Sequence, residues 1–175
     1  MFHVTIVGDT RTGKSALCQQ WSGAPCATSY ITTFLVEDYI FDNMIIHDTP
    51  SHGRFLNGLD TYYIMSDVII LIVTQDEYTD KWYSKVKTPM AVPWILILNG
   101  TQKFPEWRRW ALFNDVRVIN IDLSTGTNVS RSFDLLNAVI QDCSEPKHLS
   151  INSNEVVLLD NIQYYLENYS GWCGY

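Results

Sequence analysis

A short segment near the start of the chain constrains its fold and chemistry more than any other feature. Gly8 to Ser15 read Gly-Asp-Thr-Arg-Thr-Gly-Lys-Ser, which fits the pattern G-x-x-x-x-G-K-[ST]. An apolar, strand-like run precedes it at 1–7, and a helix-compatible run follows at 15–21. In such a unit the backbone N–H groups and the amino end of the helix hold phosphate groups. The sequence therefore predicts a phosphate-binding loop.

The side chains of this loop have distinct expected roles. Lys14 is expected to reach the β- and γ-phosphates, and the Ser15 hydroxyl is expected to bind Mg²⁺. Arg11 has two interpretations, since it either points at the phosphates as a built-in arginine finger or, as is commoner, points outward. The segment's predicted phosphate contacts are Asp9, Thr10, Arg11, Thr12, Gly13, Lys14, Ser15 and Ala16.

Strand-like and helix-like segments alternate along the rest of the chain. The runs at 67–73 and 93–98 are continuously apolar and rich in β-branched residues, which is typical of strands buried on both faces. This order predicts an α/β fold with a mostly parallel central sheet of about six strands flanked by helices. We expect residues 1–145 to form one phosphate-binding domain. Residues 146–175 would be an extension, with a helix at 155–169.

Composition excludes several classes of function. The chain has 175 residues and a net charge of −7, which argues against a broad nucleic-acid surface or a polybasic membrane anchor. No apolar run approaches the roughly 20 residues that span a bilayer. The four cysteines are scattered without metal-ligand spacing, which favours reduced thiols and a cytoplasmic location. Cys173 lies one place too late for a prenylation box, so no membrane anchor is evident.

The motifs around the loop resemble those of small GTPases of the Ras superfamily, most closely the Rab branch. Residues 29–33 look like the first switch, and Thr33 lies 18 residues after Ser15, as the family's magnesium-binding threonine does. Thr32 is the fallback ligand. Residues 48–55 look like the second switch, in which Asp48 would hold Mg²⁺ through water. The resemblance runs from residue 1 to about residue 143, and the segment between Thr33 and Asp48 is shorter than usual.

This resemblance implies a Ras-like fold, GTP or GDP as ligand, Mg²⁺ as cofactor, and hydrolysis coupled to a switch. It assigns the metal to Ser15, Thr33 and Asp48. It also implies a protein effector or regulator that binds through residues 29–38 and 50–63.

Two residues on the γ-phosphate side depart from the family pattern. Ser51 stands in place of the switch glycine, so its backbone N–H is kept but the freedom of glycine is lost. His52 stands in place of the water-orienting glutamine and is the candidate catalytic residue. It either orients an attacking water, as the histidine of translational GTPases does, or is an exposed loop residue in a nearly inactive protein.

The base-binding motifs depart further. Asn99 is retained from Asn-Lys-x-Asp, but Gly100 replaces the lysine and Gln102 replaces the aspartate. An amide cannot accept both guanine hydrogen bonds with charge assistance, and we expect discrimination to fall roughly 10- to 100-fold. The Ser-Ala-Lys motif is Ser124-Thr125-Gly126 here, and Cys26 replaces the aromatic residue at the base edge. The predicted base contacts are Asn99, Gln102, Ser124, Thr125 and Gly126.

Three functions are compatible with these motifs. The favoured one is a divergent small GTPase with slow hydrolysis. The second is a pseudo-GTPase, an interaction module with weak or altered nucleotide specificity. The third, a small-molecule kinase, would need a basic lid over the phosphates, for which Arg108 and Arg109 are the candidates. The paired switches count against the kinase.

Overall fold

Strands and helices alternate in the computed structural model, which describes residues 1–24, 33–51, 58–76, 81–86 and 92–144. Within these ranges the strands are β1 (Phe2–Val7), β2 (Glu37–Ile40), β3 (Met44–Asp48), β4 (Val68–Val73), β5 (Trp94–Asn99) and β6 (Arg117–Ile121). The helices are α1 (Lys14–Ser22), α2 (Asp60–Met65), α3 (Lys81–Lys85), α4 (Pro105–Phe113) and α5 (Val129–Ser144).

The described strands form a single six-stranded sheet in the order β2-β3-β1-β4-β5-β6. Every neighbouring pair is parallel except β2 with β3, which form an antiparallel hairpin at one edge. The predicted mostly parallel sheet with flanking helices is confirmed, with Ras-like topology. Because β1, β3, β4 and β5 run the same way, the loops that follow them meet at one edge of the sheet.

The central strand β4 explains the apolar pattern of the sequence. All six of its residues are buried, because one apolar cluster lies on each face of the sheet. On one face Val68 and Ile70 belong to a cluster with Leu17 of α1 and Leu136 of α5. On the other face the partners are aromatic residues of the short helices, namely Tyr63, Trp82, Trp107 and Trp110.

Some boundaries differ from the sequence predictions. The strand expected at 34–40 begins only at Glu37, because Phe34 and Leu35 are exposed before the sheet begins. The stretch that leads into β4 contains α2, which the apolar pattern did not reveal. Trp107 and Trp110 lie on the helix α4 and are buried against the sheet. The extension at 146–175 and its predicted helix at 155–169 lie outside the described residues.

Among the described helices, none combines the length and apolarity that crossing a membrane requires.

Candidate functional site

The loop between β1 and α1 has a backbone path that depends on its glycines. Gly13 has φ 98°, and a Cβ there would lie 2.4 Å from Leu123 Cδ1. A Cβ on Gly8 would lie 2.4 Å from the carbonyl oxygen of Ile72 on β4. Larger residues at either position would strain the loop or push it off the sheet. The loop is thus held against β4 on one side and against the segment after β6 on the other.

Lys14 folds back over this loop with its ammonium group buried. Its Nζ donates hydrogen bonds to the carbonyl oxygens of Gly8 (3.0 Å) and Asp9 (2.9 Å) and to Ser51 Oγ (2.7 Å). Burial lowers the pKa of Lys14 to about 8, although the nearby Asp48 carboxylate acts in the opposite direction. The Lys14 ammonium group therefore lies between this loop and the segment after β3.

Three oxygen-bearing side chains converge beside Lys14. Ser15 Oγ donates to Asp48 Oδ2 at 2.5 Å and lies 3.0 Å from Thr33 Oγ1. The Asp48 side chain is fully buried, and this burial raises its pKa to about 6 against the lowering effect of the Ser15 hydrogen bond. Asp48 Oδ1 has no hydrogen-bond partner among the described groups. The structure thus brings together the three residues that the sequence assigned to the metal.

This set of oxygens fits a hard cation. Hydroxyl and carboxylate oxygens suit Mg²⁺, and the unpartnered Asp48 Oδ1 is available to accept a hydrogen bond from a metal-bound water. The described residues hold no group of three or more His, Cys, Asp or Glu side chains arranged for a metal. A site for a softer metal, built from nitrogen or sulfur ligands, is therefore not found among them.

The outer part of the loop is exposed. Asp9, Thr10 and Arg11 are all exposed, and Arg11 has φ 64°, a left-handed conformation for a non-glycine residue. Asp9 Oδ1 accepts hydrogen bonds from Lys81 Nζ (2.7 Å) and Trp82 Nε1 (3.2 Å). The Asp9 carboxylate thus joins the loop to α3, and the phosphate contact predicted for this residue stays a prediction that concerns its backbone N–H.

The segment after β3 is anchored close to the loop. Thr49 Oγ1 donates a buried 2.6 Å hydrogen bond to the carbonyl oxygen of Ile6, and Pro50 follows it, also buried. These contacts bring Ser51 to Lys14. His52, the candidate catalytic residue, lies outside the described residues, as do Thr32 and Cys26.

On the side predicted to bind the base, the retained residue Asn99 connects two loops through hydrogen bonds. Asn99 Nδ2 donates to the Thr12 carbonyl oxygen (3.0 Å), and Asn99 Oδ1 accepts from Leu123 N (3.2 Å). Gln102 is exposed, and its Nε2 donates to the carbonyl oxygen of Thr74. Asn99 thus fixes the loop between β1 and α1 to the segment after β6, while Gln102 is bonded to Thr74, which directly follows β4.

The rest of that side is an exposed turn. Ser124, Thr125 and Gly126 are all exposed, and Ser124 Oγ donates to Asp122 Oδ1 at 2.6 Å. This hydrogen bond holds the pKa of Asp122 below its usual range. The turn lies next to the phosphate loop through Leu123, whose side chain packs at Gly13.

Comparison with curated proteins supports the resemblance. The chain is 23% identical to the Ras-related protein Rab-1 of Theileria parva over 165 residues, with 81% of this chain and 75% of the relative covered. The Rab-1 protein of Theileria annulata matches with the same identity and coverage. The chain is therefore distantly related to the Ras-related Rab-1 proteins. No protein-family model matches the chain.

One buried polar cluster connects three strands and was not identified from the sequence. His47 is buried, with an edge contact to Tyr62. Its Nδ1 lies 2.7 Å from Asp38 Oδ1, and its Nε2 lies 3.0 Å from His3 Nδ1. The three residues come from β2, β3 and β1, and only the register of these strands places them together.

Proposed function

We propose that the chain is a divergent small GTPase that binds GTP or GDP with Mg²⁺, hydrolyses GTP slowly and changes conformation with the bound nucleotide. One observation carries this proposal, which is the convergence of Lys14, Ser15, Thr33 and Asp48 at the mouth of the phosphate loop. A cation and three hard oxygen ligands at the amino end of a helix are the groups that a nucleotide's phosphates and their metal require.

Different groups of the site would bind the phosphates, the metal and the attacking water. Backbone N–H groups of the loop and the amino end of α1 receive the phosphate oxygens, and Lys14 neutralises their charge. Ser15, Thr33 and Asp48 would hold Mg²⁺, which would supply positive charge to offset that of the phosphate groups. His52 would orient the attacking water. Hydrolysis would be slow, because His52 stands where the family has its water-orienting glutamine and Arg11, the candidate arginine finger, lies in the exposed part of the loop.

A second candidate function has its own support on the base side. Gln102 already donates to Thr74, and Gly100 has no side chain to cover a base. A pseudo-GTPase that binds nucleotide loosely, and acts as an interaction module, would have such a site.

A protein partner would bind near the switches. Phe34 is 59% exposed and Leu35 is 81% exposed, directly before the edge strand β2. Exposed apolar side chains beside an edge strand favour a protein partner, and we place the effector or regulator at residues 29–38 and 50–63.

The test begins with the nucleotide that co-purifies with the chain, identified by chromatography and mass spectrometry. GDP or GTP would support the GTPase, a different base would redirect the assignment, and an empty site would favour the pseudo-enzyme.

Calorimetry on Lys14→Ala then tests the loop, because this variant removes the cation that contacts the β/γ oxygens and should abolish triphosphate binding. Lys103→Ala, which removes an exposed lysine, is the matched control. Unchanged affinity in Lys14→Ala would refute the assignment.

A further inference from the structure

The hydroxyl of Ser51 occupies a position on Lys14 that a phosphate oxygen would use. An ammonium group has three N–H donors, and those of Lys14 have three protein acceptors, namely the carbonyl oxygens of Gly8 and Asp9 and the Ser51 hydroxyl. The contact with Ser51 Oγ is the shortest of the three, at 2.7 Å. A phosphate oxygen that approaches Lys14 must therefore displace one of these acceptors or share its N–H.

Two of the acceptors are fixed by the fold. The Gly8 carbonyl belongs to a residue packed against the Ile72 backbone on β4. The Asp9 carbonyl also accepts a 2.9 Å hydrogen bond from Thr12 Oγ1, inside the same turn. Ser51 is different, because its oxygen lies on a side chain that can rotate about χ1. It is the acceptor that a ligand can replace with the least disturbance of the loop.

Ser51 also approaches Lys14 from outside the loop. In the proposed site the N–H groups of residues 8–15 would surround the phosphates nearest the helix, whereas Ser51 belongs to the segment after β3, anchored by Thr49 on the Ile6 carbonyl. The end of the phosphate chain would then lie between the loop and this segment, and the Ser51 hydroxyl would face the γ-phosphate more than the β-phosphate.

We propose that Ser51 determines the di- versus triphosphate preference of this site, because its hydroxyl competes with a γ-phosphate oxygen for Lys14. This inference rests on the proposed nucleotide site. A triphosphate must rotate the hydroxyl away and break a charge-assisted hydrogen bond, whereas the β-phosphate of a diphosphate would share the N–H groups that face the loop and leave the Ser51 contact in place. The chain consequently favours the diphosphate state more than it would with a residue that lacks the hydroxyl.

The experiment compares two ligands in three proteins. Dissociation constants for GDP and for the non-hydrolysable β,γ-imido analogue of GTP, each with Mg²⁺, are measured in wild type, Ser51→Ala and Ser22→Ala. Ser22 is the matched control, since its exposed hydroxyl donates a local hydrogen bond to the Gln19 carbonyl at the end of α1. We expect Ser51→Ala to raise the ratio of triphosphate to diphosphate affinity by roughly tenfold, with GDP affinity nearly unchanged, and Ser22→Ala to keep the wild-type ratio.

Every other outcome contradicts either this inference alone or the proposed nucleotide site as well. A ratio that stays the same or falls in Ser51→Ala, while GDP still binds, overturns the inference and leaves the nucleotide site intact. A fall would mean that the hydroxyl donates to the γ-phosphate instead. If no protein binds either ligand, the proposed function fails and this inference fails with it. Thermal melting checks the fold of each variant, and Ser51→Gly, which also lacks the hydroxyl, serves if the alanine variant does not fold.

Discussion

The Ser15 hydroxyl donates a 2.5 Å hydrogen bond to Asp48 Oδ2, and this contact joins the start of α1 to the end of β3. It satisfies only one side of a fully buried carboxylate, since Asp48 Oδ1 has no partner among the described groups. An ionised carboxylate in this position destabilises the ligand-free fold, because burial favours its neutral form. A cation held near Ser15 and Thr33 would reverse that effect.

Asp48→Asn should therefore change stability and binding in opposite directions. The amide oxygen still accepts the Ser15 hydrogen bond, but the buried charge is gone. We expect the unfolding free energy of the ligand-free protein at pH 7 to rise by roughly 1–3 kcal/mol. Magnesium-dependent nucleotide affinity should fall at least tenfold, since a neutral amide is a poorer partner for the metal's waters. Urea unfolding and calorimetry measure the two effects, and a destabilised variant would contradict the argument.

The pH dependence of stability follows from the same two charged groups. Burial raises the pKa of Asp48 from 3.8 to about 6, so between these values the native state binds more protons than the unfolded state. Its contribution therefore makes the ligand-free protein less stable as pH rises from about 4 to 6. Burial lowers the pKa of Lys14 from 10.5 to about 8, so this group makes the protein more stable as pH rises between those values.

The affinity for nucleotide should depend on pH in the opposite sense to the stability of the ligand-free protein. Nucleotide binding requires an ionised Asp48 and a protonated Lys14, so affinity should be highest between pH about 6 and 8 and fall on both sides. Unfolding curves and binding titrations across pH 4–10 test this. In Asp48→Asn the stability slope between pH 4 and 6 should become shallower, and an unchanged slope would show that another group causes it.

Base discrimination should be weak, because Gln102 is held by Thr74 and Gly100 carries no side chain. We expect GTP to compete with ATP or UTP with a preference of about tenfold or less. Gln102→Asp should raise the GTP preference roughly tenfold, since a carboxylate cannot donate to the Thr74 carbonyl and can accept two guanine hydrogen bonds. Gln102→Ala is the control, since it releases Thr74 without adding an acceptor. A wild-type preference of several orders of magnitude would contradict this expectation.

The sequence predicted the sheet and the phosphate loop because both depend on local patterns. The continuous apolar runs that became β4 and β5 identify buried parallel strands by themselves. Likewise, the loop motif predicts the strand, turn and helix around Gly8 to Ser15 and which residues would surround a phosphate. Convergence of Ser15, Thr33 and Asp48 was predicted through the family resemblance, since spacing alone does not bring a residue at the end of β3 against α1.

Contacts between distant strands could not be predicted in this way. The contact of Ser51 with Lys14 spans 37 positions and requires the path of the chain after β3. His47 meets Asp38 and His3 only because β1, β3 and β2 pair in one register. The use of Asp9 by Lys81 and Trp82 depends on where α3 begins. Short helices such as α2 and α3 were also missed, because five or six residues show too little periodicity.

The first switch should carry most of the nucleotide-dependent change. Thr33 is expected to meet the γ-phosphate, whereas the second switch begins with the Thr49 hydrogen bond to β1 and the fixed φ of Pro50. Hydrogen exchange by mass spectrometry, in the GDP and imido-GTP states, should show larger changes in peptides covering 29–36 than in peptides covering 48–57. Thr49→Ala, which removes the anchor, should increase the change in the second region. Larger changes there in wild type would show that the anchor does not stiffen it.

The rate of GTP hydrolysis tests whether His52 orients the attacking water. Because Pro50 and the Thr49 anchor restrict the segment before it, His52 should be held near one position, and a neutral imidazole can accept a proton from water or orient it. We expect slow single-turnover hydrolysis of bound GTP in wild type and a further loss of about tenfold or more in His52→Ala. His148→Ala, which changes a histidine distant in sequence from both switches, controls for general effects. Equal rates in wild type and His52→Ala would remove His52 from the mechanism, and the pseudo-GTPase would then be the better account of this chain.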